Sequence, residues 1–243
     1  MEWSAEGLLL GVRNLGETST IIEVFTREYG VYYGVVRGGN SKKIAPTLQP
    51  GAQLDVTWRA RLENHLGVFN AELLSSRFSM VLNQRESLAG LNSICSLLRF
   101  SLPERDPHPV LYDRTIYLLD MLTNNSNWPF LYMKWELALL QDMGFGLDLD
   151  RCAVTNQTDN LQYISPKSGR AVSKKAAGKW ADKLLPLPAC LTDIDKSSDA
   201  NLEDGFKVTG YFLKNWLAPL MNDKPLPASR ERLLDTLRRK GEL

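Results

Sequence analysis

The sequence is poor in the residues that build catalytic and metal-binding sites. It contains only two histidines, His65 and His108, and neither stands in a motif that supplies a catalytic partner. The three cysteines are Cys95, Cys152 and Cys190, an odd and scattered set whose spacing does not form a disulfide framework. We therefore expect neither an enzyme nor a protein that carries a bound cofactor.

Long apolar runs and a secretion signal are absent as well. No stretch approaches the roughly eighteen consecutive apolar residues of a membrane helix. The first residues, MEWSAEGLLLGVRN, contain acids and lack the basic start and long apolar core of a signal peptide. Together with the scattered cysteines, these absences indicate a reducing environment, and we expect a cytoplasmic protein.

Neither sign of charge is in excess. The chain has 29 basic and 28 acidic residues, which gives a formal net charge of +1 at pH 7. It is therefore not a polycation that would bind nucleic acid through its overall charge. Any surface for nucleic acid must come from basic residues that are segregated onto one face.

The first 78 residues contain a series of short segments with the pattern of β-strands. These segments alternate apolar and other residues or are rich in β-branched residues, and turn signals separate them. They are residues 7–12, 18–26, 31–36, 54–59 and 67–74. Five short strands fit a small barrel or a sandwich, and the OB-fold, a five-stranded barrel, has about this length. We predict an OB-fold in residues 1–78.

After residue 78 the spacing of apolar residues changes to the spacing that is typical of a helix. Apolar residues at positions 88, 91, 95 and 98 recur at the spacing of one helix face. The predicted helices are 79–102, 110–122, 128–143, 173–184, 201–217 and 227–240, and an acidic loop is predicted at 193–204. The fold class is thus α+β multi-domain. A five-stranded OB-fold β-barrel precedes an α-helical domain, residues 79–243, with an irregular or hairpin-like insertion at about 147–172.

A basic, glycine-rich loop, VRGGNSKKI at residues 36–44, joins two of the predicted strands. A phosphate-loop nucleotide site needs a GK pair followed by Ser or Thr and then a helix. In this loop the glycines are adjacent, no GK pair occurs and a strand follows. A nucleotide site is therefore not predicted, which leaves a solvated turn or a surface for nucleic acid.

The surroundings of this loop fit a groove for a nucleic-acid strand. The basic residues between positions 37 and 61 are Arg37, Lys42, Lys43, Arg59 and Arg61, opposed by a single acid, Asp55. Arg59 and Arg61 are two apart on one predicted strand and would share a face. Tyr32, Tyr33 and Trp58 lie on flanking strands. Their rings either stack on bases, as in OB-folds that bind single strands, or belong to the core.

A second basic cluster occupies residues 167–183. Its members are Lys167, Arg170, Lys174, Lys175, Lys179 and Lys183, opposed only by Asp182. In the predicted helix, Lys175, Lys179 and Lys183 would form one stripe. Three interpretations stay open, namely a solvated helix face, a patch for a phosphate backbone and a dock for an acidic peptide.

Cys152 stands where a zinc ribbon would begin. Such a ribbon would need a second cysteine at position 155, which is Thr155, and another pair downstream. Residues 156–189 contain neither cysteine nor histidine. Because one ligand cannot make a tetrahedral site, we predict no metal here.

Five segments, in this order, resemble the RecO family of recombination mediators. They are the N-terminal MEWSAEGLLLGVRNLGETSTIIEVFTREYG, then GVVRGG, LQPG, WELALLQDMGFGLDLDRCAVT and YISPKSGRAVS. The resemblance covers nearly the whole chain. It implies an N-terminal OB-fold, a helical domain and, in some members, a zinc-finger-like insertion. Since only Cys152 is present here, we expect a degenerate, metal-free hairpin held by packing, with Tyr163 and Ile164 inside.

The resemblance also implies a function. RecO-like proteins are non-enzymatic mediators of DNA repair and homologous recombination that bind single- and double-stranded DNA and anneal complementary strands. They contact RecR and the acidic C-terminal tail of single-stranded DNA-binding protein, and they help load RecA. A cytoplasmic, nucleoid-associated protein would follow. The alternative that the residues leave open is a protein-interaction scaffold with no direct DNA binding.

Site residues follow from this resemblance together with the basic clusters. The predicted DNA-binding residues are Arg37, Lys42, Lys43, Arg59, Arg61, Lys167, Arg170, Lys174 and Lys175. An acidic tail that ends in an aromatic residue needs an apolar pocket with a cationic rim. For that rim, the helical domain offers Arg99, Arg105 and Arg114 as candidates.

Overall fold

Two compact units make up the part of the chain that the structure describes. This structure, a computed structural model, describes residues 1–62, 64–192, 202–222 and 224–243. Most of the predicted acidic loop at 193–204 lies outside the described residues. The first unit contains residues 1–125 and 227–239, and the second contains residues 126–226 and 240–243.

The first unit is built around a closed β-barrel. Its strands are β1 (Glu2–Leu15), β2 (Ser19–Thr26), β3 (Gly30–Val36), β4 (Ala52–Arg59) and β5 (Gly67–Ser76). The order around the barrel is β1-β2-β3-β5-β4, and β4 pairs with β1 to close it. The β3–β5 pair is parallel, whereas the other pairs are antiparallel. The predicted class, a five-stranded OB-fold followed by a mainly helical chain, is confirmed.

Alternating apolar side chains fill the barrel, as the two-residue period of the strands requires. Leu9, Val24, Trp58 and Phe69 belong to one buried cluster. The start of β5 is fixed by close packing, since a Cβ atom on Gly67 would overlap the indole of Trp58. This is why a glycine opens that strand.

The helices follow the predicted order with two corrections. They are α1 (Arg77–Val81), α2 (Arg85–Ser101), α3 (Pro109–Met121), α4 (Trp128–Asp142), α5 (Lys174–Ala177), α6 (Ala189–Thr192), α7 (Leu202–Phe212), α8 (Ala218–Leu220) and α9 (Ala228–Lys240). Residues 82–84 interrupt the predicted helix 79–102. The predicted helix 173–184 is also wrong as one element, because Gly178 has a φ of +45° and a 3-10 helix, Gly178–Lys183, follows it. Among the described residues, no helix is long and apolar enough to cross a membrane.

An ion pair between a buried carboxylate and a half-exposed arginine fastens α2 to the outer wall of the barrel. The Glu23 side chain on β2 is 4% exposed, and its carboxylate accepts a 2.7 Å hydrogen bond from Nε of Arg99. The guanidinium lies against β1 at Gly11, where an added Cβ atom would be 2.6 Å from Cζ of Arg99. Gly11 thus leaves the space in which the arginine reaches the carboxylate.

A second polar network joins β4, α1 and α3. Buried Arg77 donates to Asp120 at 2.7 Å and to the side-chain oxygen of Gln53 at 3.1 Å. The Gln53 amide donates in turn to the hydroxyl of Tyr112 at 2.9 Å. Because the buried guanidinium of Arg77 has two acceptors, the network holds the three elements together without leaving that charge unpaired.

The second unit packs α4 against α7 and carries a small sheet. Glu136 of α4 is fully buried, and its carboxylate accepts a 2.5 Å hydrogen bond from the Thr209 hydroxyl on α7. The sheet has the order β7-β6-β8, with strands β6 (Leu161–Ile164), β7 (Ala171–Ser173) and β8 (Leu185–Pro186). The predicted insertion therefore contains an antiparallel hairpin.

We expect Arg99→Ala to lower the free energy of unfolding by about 2–4 kcal/mol, because it leaves the Glu23 carboxylate buried without its cation. Urea unfolding followed by circular dichroism would measure this. The matched control is Arg114→Ala, an exposed arginine that should change stability by less than about 0.5 kcal/mol. The double variant Glu23→Gln with Arg99→Met should recover most of the loss, and equal stability of all variants would contradict the argument.

Candidate nucleic-acid interface

The glycine-rich loop after β3 is a compact series of turns. Ser41 N donates to Gly38 O at 2.9 Å, and Ile44 N donates to Ser41 O at 3.1 Å. Gly38 has a φ of +70°, a conformation that favours glycine. Asn40 anchors the loop to the β1–β2 turn, because its amide nitrogen donates to Glu17 O and its side-chain oxygen accepts from the Thr20 hydroxyl at 2.6 Å.

The cations of this loop point into solvent. Arg37, Lys42 and Lys43 are all exposed. None of them has an ion pair or a side-chain hydrogen bond within the described part of the chain. We call these three residues the loop patch. Its charge is available to a ligand, and its backbone is held by the turns beneath it.

Arg59 and Arg61 are placed differently from the prediction. Arg59 is the last residue of β4, and Arg61 lies beyond the strand, so the two do not share a strand face. Arg59 forms a 2.6 Å ion pair with Glu2. The strand register still brings Arg59 near the loop patch, because Val68 of β5 pairs with both Arg59 and Val35. Two strand spacings separate those partners, which is about 10 Å.

The aromatic residues on the strands that flank the loop belong mainly to the core. Tyr32 is 8% exposed and Trp58 is 1% exposed, and the indole nitrogen of Trp58 donates to Tyr33 O at 3.2 Å. Tyr33 is half-buried, and burial together with the nearby Glu23 carboxylate raises the pKa of its hydroxyl. Of the two interpretations of Tyr32 and Trp58, the structure supports core packing, because inward positions of a closed barrel leave no ring face open.

Two of the three arginines predicted to bind a partner tail have contacts inside the first unit. Arg99 pairs with Glu23. The guanidinium of Arg105 lies 5.1 Å from the Tyr32 ring centre and 5.8 Å from that of Trp58. Arg114 is exposed on α3. The sequence could not distinguish these environments, because the residues around an arginine do not show whether its side chain packs on the barrel or faces solvent.

The second basic cluster lies in the second unit, on and after the β6–β7 hairpin. We call its exposed lysines the insertion patch, which contains Lys167, Lys174, Lys175, Lys179 and Lys183. Arg170 differs, because its guanidinium donates to Asp148 at 3.0 Å. The predicted stripe of Lys175, Lys179 and Lys183 is not a continuous α-helical face, since Gly178 interrupts the helix.

An exposed tryptophan, which was not among the predicted site residues, stands among these lysines. Trp180 is 53% exposed, which is unusual for so large an apolar ring. The ammonium groups of Lys179 and Lys183 lie 5.6 Å and 4.9 Å from its ring centre. The signal was present in the sequence as KWADK, an aromatic residue between two lysines. A ring in this setting can stack on a base while its neighbours contact phosphates.

The position where a zinc site would begin is a small packed core instead. Cys152 is fully buried, and its sulfur accepts a hydrogen bond from Ser173 N at 3.3 Å. Burial alone would raise the pKa of the Cys152 thiol, but hydrogen bonds from Thr155 and Ser173 outweigh it and lower that pKa to about 6. Ile164 is also fully buried, and Tyr163 packs partly against this core.

These side chains do not fit a tetrahedral metal ion. No group of three His, Cys, Asp or Glu residues that could hold one occurs among the described residues. Hydroxyl and backbone groups surround the single thiol. Hydrogen bonds therefore orient the Cys152 side chain, the role that metal–ligand bonds have in a zinc site. The described part of the insertion is thus a hairpin held by packing and hydrogen bonds.

We expect dialysis against EDTA to leave the thermal unfolding midpoint unchanged, because hydrogen bonds and packing hold the hairpin. Differential scanning fluorimetry before and after dialysis would measure the midpoint, and metal analysis of the untreated protein would accompany it. A fall in the midpoint that zinc restores would show that the hairpin depends on a metal after all.

Comparison with known proteins gives a consistent match along the chain. The family model for the N-terminal part of recombination protein O matches residues 1–77, and the model for its C-terminal part matches residues 82–223. A "DNA repair protein RecO" from Ruegeria sp. is 52% identical over 240 residues, covering 99% of this chain and 100% of that protein. One from Roseobacter denitrificans is 54% identical over 240 residues with the same coverage. A third, from Jannaschia sp., is 54% identical over 239 residues, covering 98% of this chain and 97% of the relative.

Proposed function

Because this chain belongs to the RecO family of DNA repair and recombination proteins, non-enzymatic mediators, we propose that it binds single- and double-stranded DNA and anneals complementary strands. In this proposal it contacts RecR and the acidic tail of single-stranded DNA-binding protein. With RecR it loads RecA onto DNA that the single-stranded DNA-binding protein covers. It does so in the cytoplasm, on the nucleoid.

The observation that carries this proposal is the loop patch on the barrel. Three exposed cations stand on a folded loop of an OB-fold in a protein whose net charge is only +1. Charge that has no internal partner and stands on a fixed backbone suits contact with phosphates. Arg59 and Arg61 extend the patch, although Arg59 must exchange its ion pair with Glu2 for a phosphate.

The insertion patch is the proposed second contact with DNA. Annealing brings two like-charged strands together, so phosphates of both strands must be neutralised. One patch then holds one strand, and the other patch holds its complement. Arg170 joins the insertion patch only if phosphate displaces Asp148 from its guanidinium.

Trp180 adds a contact that discriminates between single strands and duplex. A base can stack on an exposed indole only when it is not already stacked inside a duplex. The two lysines beside the ring would contact the phosphates on either side of that base. Phosphate contacts supply affinity for any DNA, and the ring adds preference for an unpaired strand.

The double variant Lys42→Ala with Lys43→Ala should weaken binding of a labelled single-stranded oligonucleotide. If four phosphates are neutralised in the parent, log affinity falls against log salt with a slope of about −3, and the variant should lose about one to two units of it. Fluorescence anisotropy at several salt concentrations measures both. The matched control is Lys214→Ala with Lys224→Ala, which removes the same charge at two other exposed positions.

Two results would contradict this proposal. A parent protein that binds DNA with a slope near zero, or not at all, would favour the protein-interaction scaffold. A loop variant with unchanged affinity and slope would show that the loop is a solvated connector, and the site would then lie at the insertion patch.

Trp180→Ala should lower the affinity for single-stranded DNA about tenfold, the effect of losing one stacked base. The salt slope should stay the same, because no cation is removed. Duplex affinity should change less, and Trp180→Tyr should keep most of the binding because it keeps a ring. An equal loss on single and double strands would rule out stacking.

A further inference from the structure

Arg105 has a backbone conformation that arginine rarely adopts. Its φ is +64°, in the left-handed region that favours glycine. It stands in the connection between α2 and α3, residues 102–108. Because this conformation costs stability, an arginine at this place indicates that its side chain makes contacts that a glycine could not make.

The backbone around Arg105 fills an open edge of the barrel. The pairing of β3 with β5 involves Gly34 and Val35 of β3, so the start of β3 has no strand on that side. Glu104 forms a bridge with Val31 there, and Arg105 N donates to Val31 O at 2.9 Å. The connection thus holds Arg105 at a fixed place beside the barrel.

The guanidinium of Arg105 joins the core of the barrel to the β4–β5 loop, residues 60–66. It lies over the rings of Tyr32 and Trp58. Its Nη1 donates to the side-chain oxygen of Asn64 at 3.5 Å, and its Nη2 donates to His65 O at 3.3 Å. One planar group therefore contacts both the aromatic core and the loop.

The β4–β5 loop has few internal contacts that could hold it. A connection between two antiparallel neighbours usually takes about two to five residues, and this one is longer. Its described residues form one internal backbone hydrogen bond, from His65 N to Leu62 O at 3.1 Å. Its start is fixed, since Ala60 N donates to Met1 O at 3.1 Å. Arg105 is the contact that holds its later part.

The same loop carries Arg61, one of the predicted DNA contacts. Arg61 is exposed, and none of the residues that the structure describes forms an ion pair or a side-chain hydrogen bond with it. Together with Glu2 and Arg59, it lines a shallow depression of about 500 Å³ where β1 begins and β4 ends. The charge of Arg61 is thus available to a ligand.

We propose that Arg105 is a positioning residue for DNA binding, an inference that rests on the proposed binding of DNA by the barrel. It holds the β4–β5 loop in place before the strand arrives, and Arg61 then contacts a phosphate. A cation on a loose loop loses conformational freedom when it binds, whereas a cation on a held loop loses less. The anchor therefore raises the affinity for DNA without touching it.

The contacts of Arg105 favour positioning over direct binding. Its guanidinium already lies over two rings and donates to two acceptors of the loop, so a phosphate would first have to displace these contacts. Glycine would suit the backbone, and lysine would supply the charge. Only the planar fork of arginine can reach Asn64 and His65 while it packs on the rings.

Arg105→Gly tests this inference in the full chain, because it removes the guanidinium and relieves the backbone conformation. In anisotropy titrations it should weaken binding of labelled oligothymidine about fourfold at about 0.15 M salt and reduce the salt slope by about 0.7, the loss of one phosphate contact. Arg61→Ala should have the same effect. In the Arg61→Ala background, Arg105→Gly should change the affinity less than about twofold, because the contact that it positions is already gone.

Matched variants separate positioning from a loss of charge or of fold. Arg114→Ala removes the same charge from an exposed site on α3 and should change the affinity less than about twofold. Arg105→Lys keeps the charge but lacks the fork, so it should lose most of the affinity that Arg105→Gly loses. Amide hydrogen exchange should become faster in the β4–β5 loop of Arg105→Gly and stay unchanged in α2.

Four results would overturn the inference. If Arg105→Gly binds DNA as the parent does, the loop needs no anchor. If Arg105→Gly weakens binding equally in the parent and in the Arg61→Ala background, Arg105 binds DNA itself or supports the whole fold. If Arg61→Ala binds as the parent does, the loop lies outside the site, and the DNA-binding proposal stands without this inference. A parent that binds no DNA overturns both.

Discussion

The carboxylate of Glu23, buried on the outer wall of the barrel, is the constraint on which the first unit depends. A buried charge is tolerated only with a partner, and Arg99 of α2 is that partner at 2.7 Å. The arginine fits because residue 11 has no side chain. The barrel and α2 therefore need each other, which is why the first compact unit extends through α3 instead of ending where the strands end.

The basic residues fall into two classes, those with contacts inside the fold and those without. Arg99, Arg77 and Arg105 are occupied with a carboxylate, an amide network and two aromatic rings of the same unit. Their charge is used in holding the fold. The loop patch carries charge that the fold does not use, and only such charge can bind a ligand without first breaking an internal contact.

Much of the fold followed from local pattern. Alternation predicted the five strands, because one face of each strand is buried, and the helical period predicted most helices. The closure of the barrel through the parallel β3–β5 pair carries no local signal. The break at Gly178 was not predicted, because lysines spaced four residues apart suggest one continuous helix. The positive φ of Gly178 ends that helix.

The candidate sites were predicted less well, and the reason is physical. A ligand can reach Trp58 or Trp180 only if the ring is exposed. The spacing of apolar residues alone did not show that Trp58 is buried and Trp180 exposed. The exposed loop cations could be found because glycine and lysine in a short connection are solvated in almost any fold.

The two kinds of cation are segregated by chemistry. The loop and insertion patches are mainly lysine, a point charge on a flexible stem that suits contact with phosphates in any sequence. Arg77, Arg99 and Arg105 instead use planar guanidinium groups, whose fixed fork meets a carboxylate, an amide oxygen or a ring of the same unit. A chain with a net charge of +1 thus separates two sets of cations. The arginines that hold the first unit together have internal contacts, and the exposed cations of the two patches, mainly lysines, face solvent.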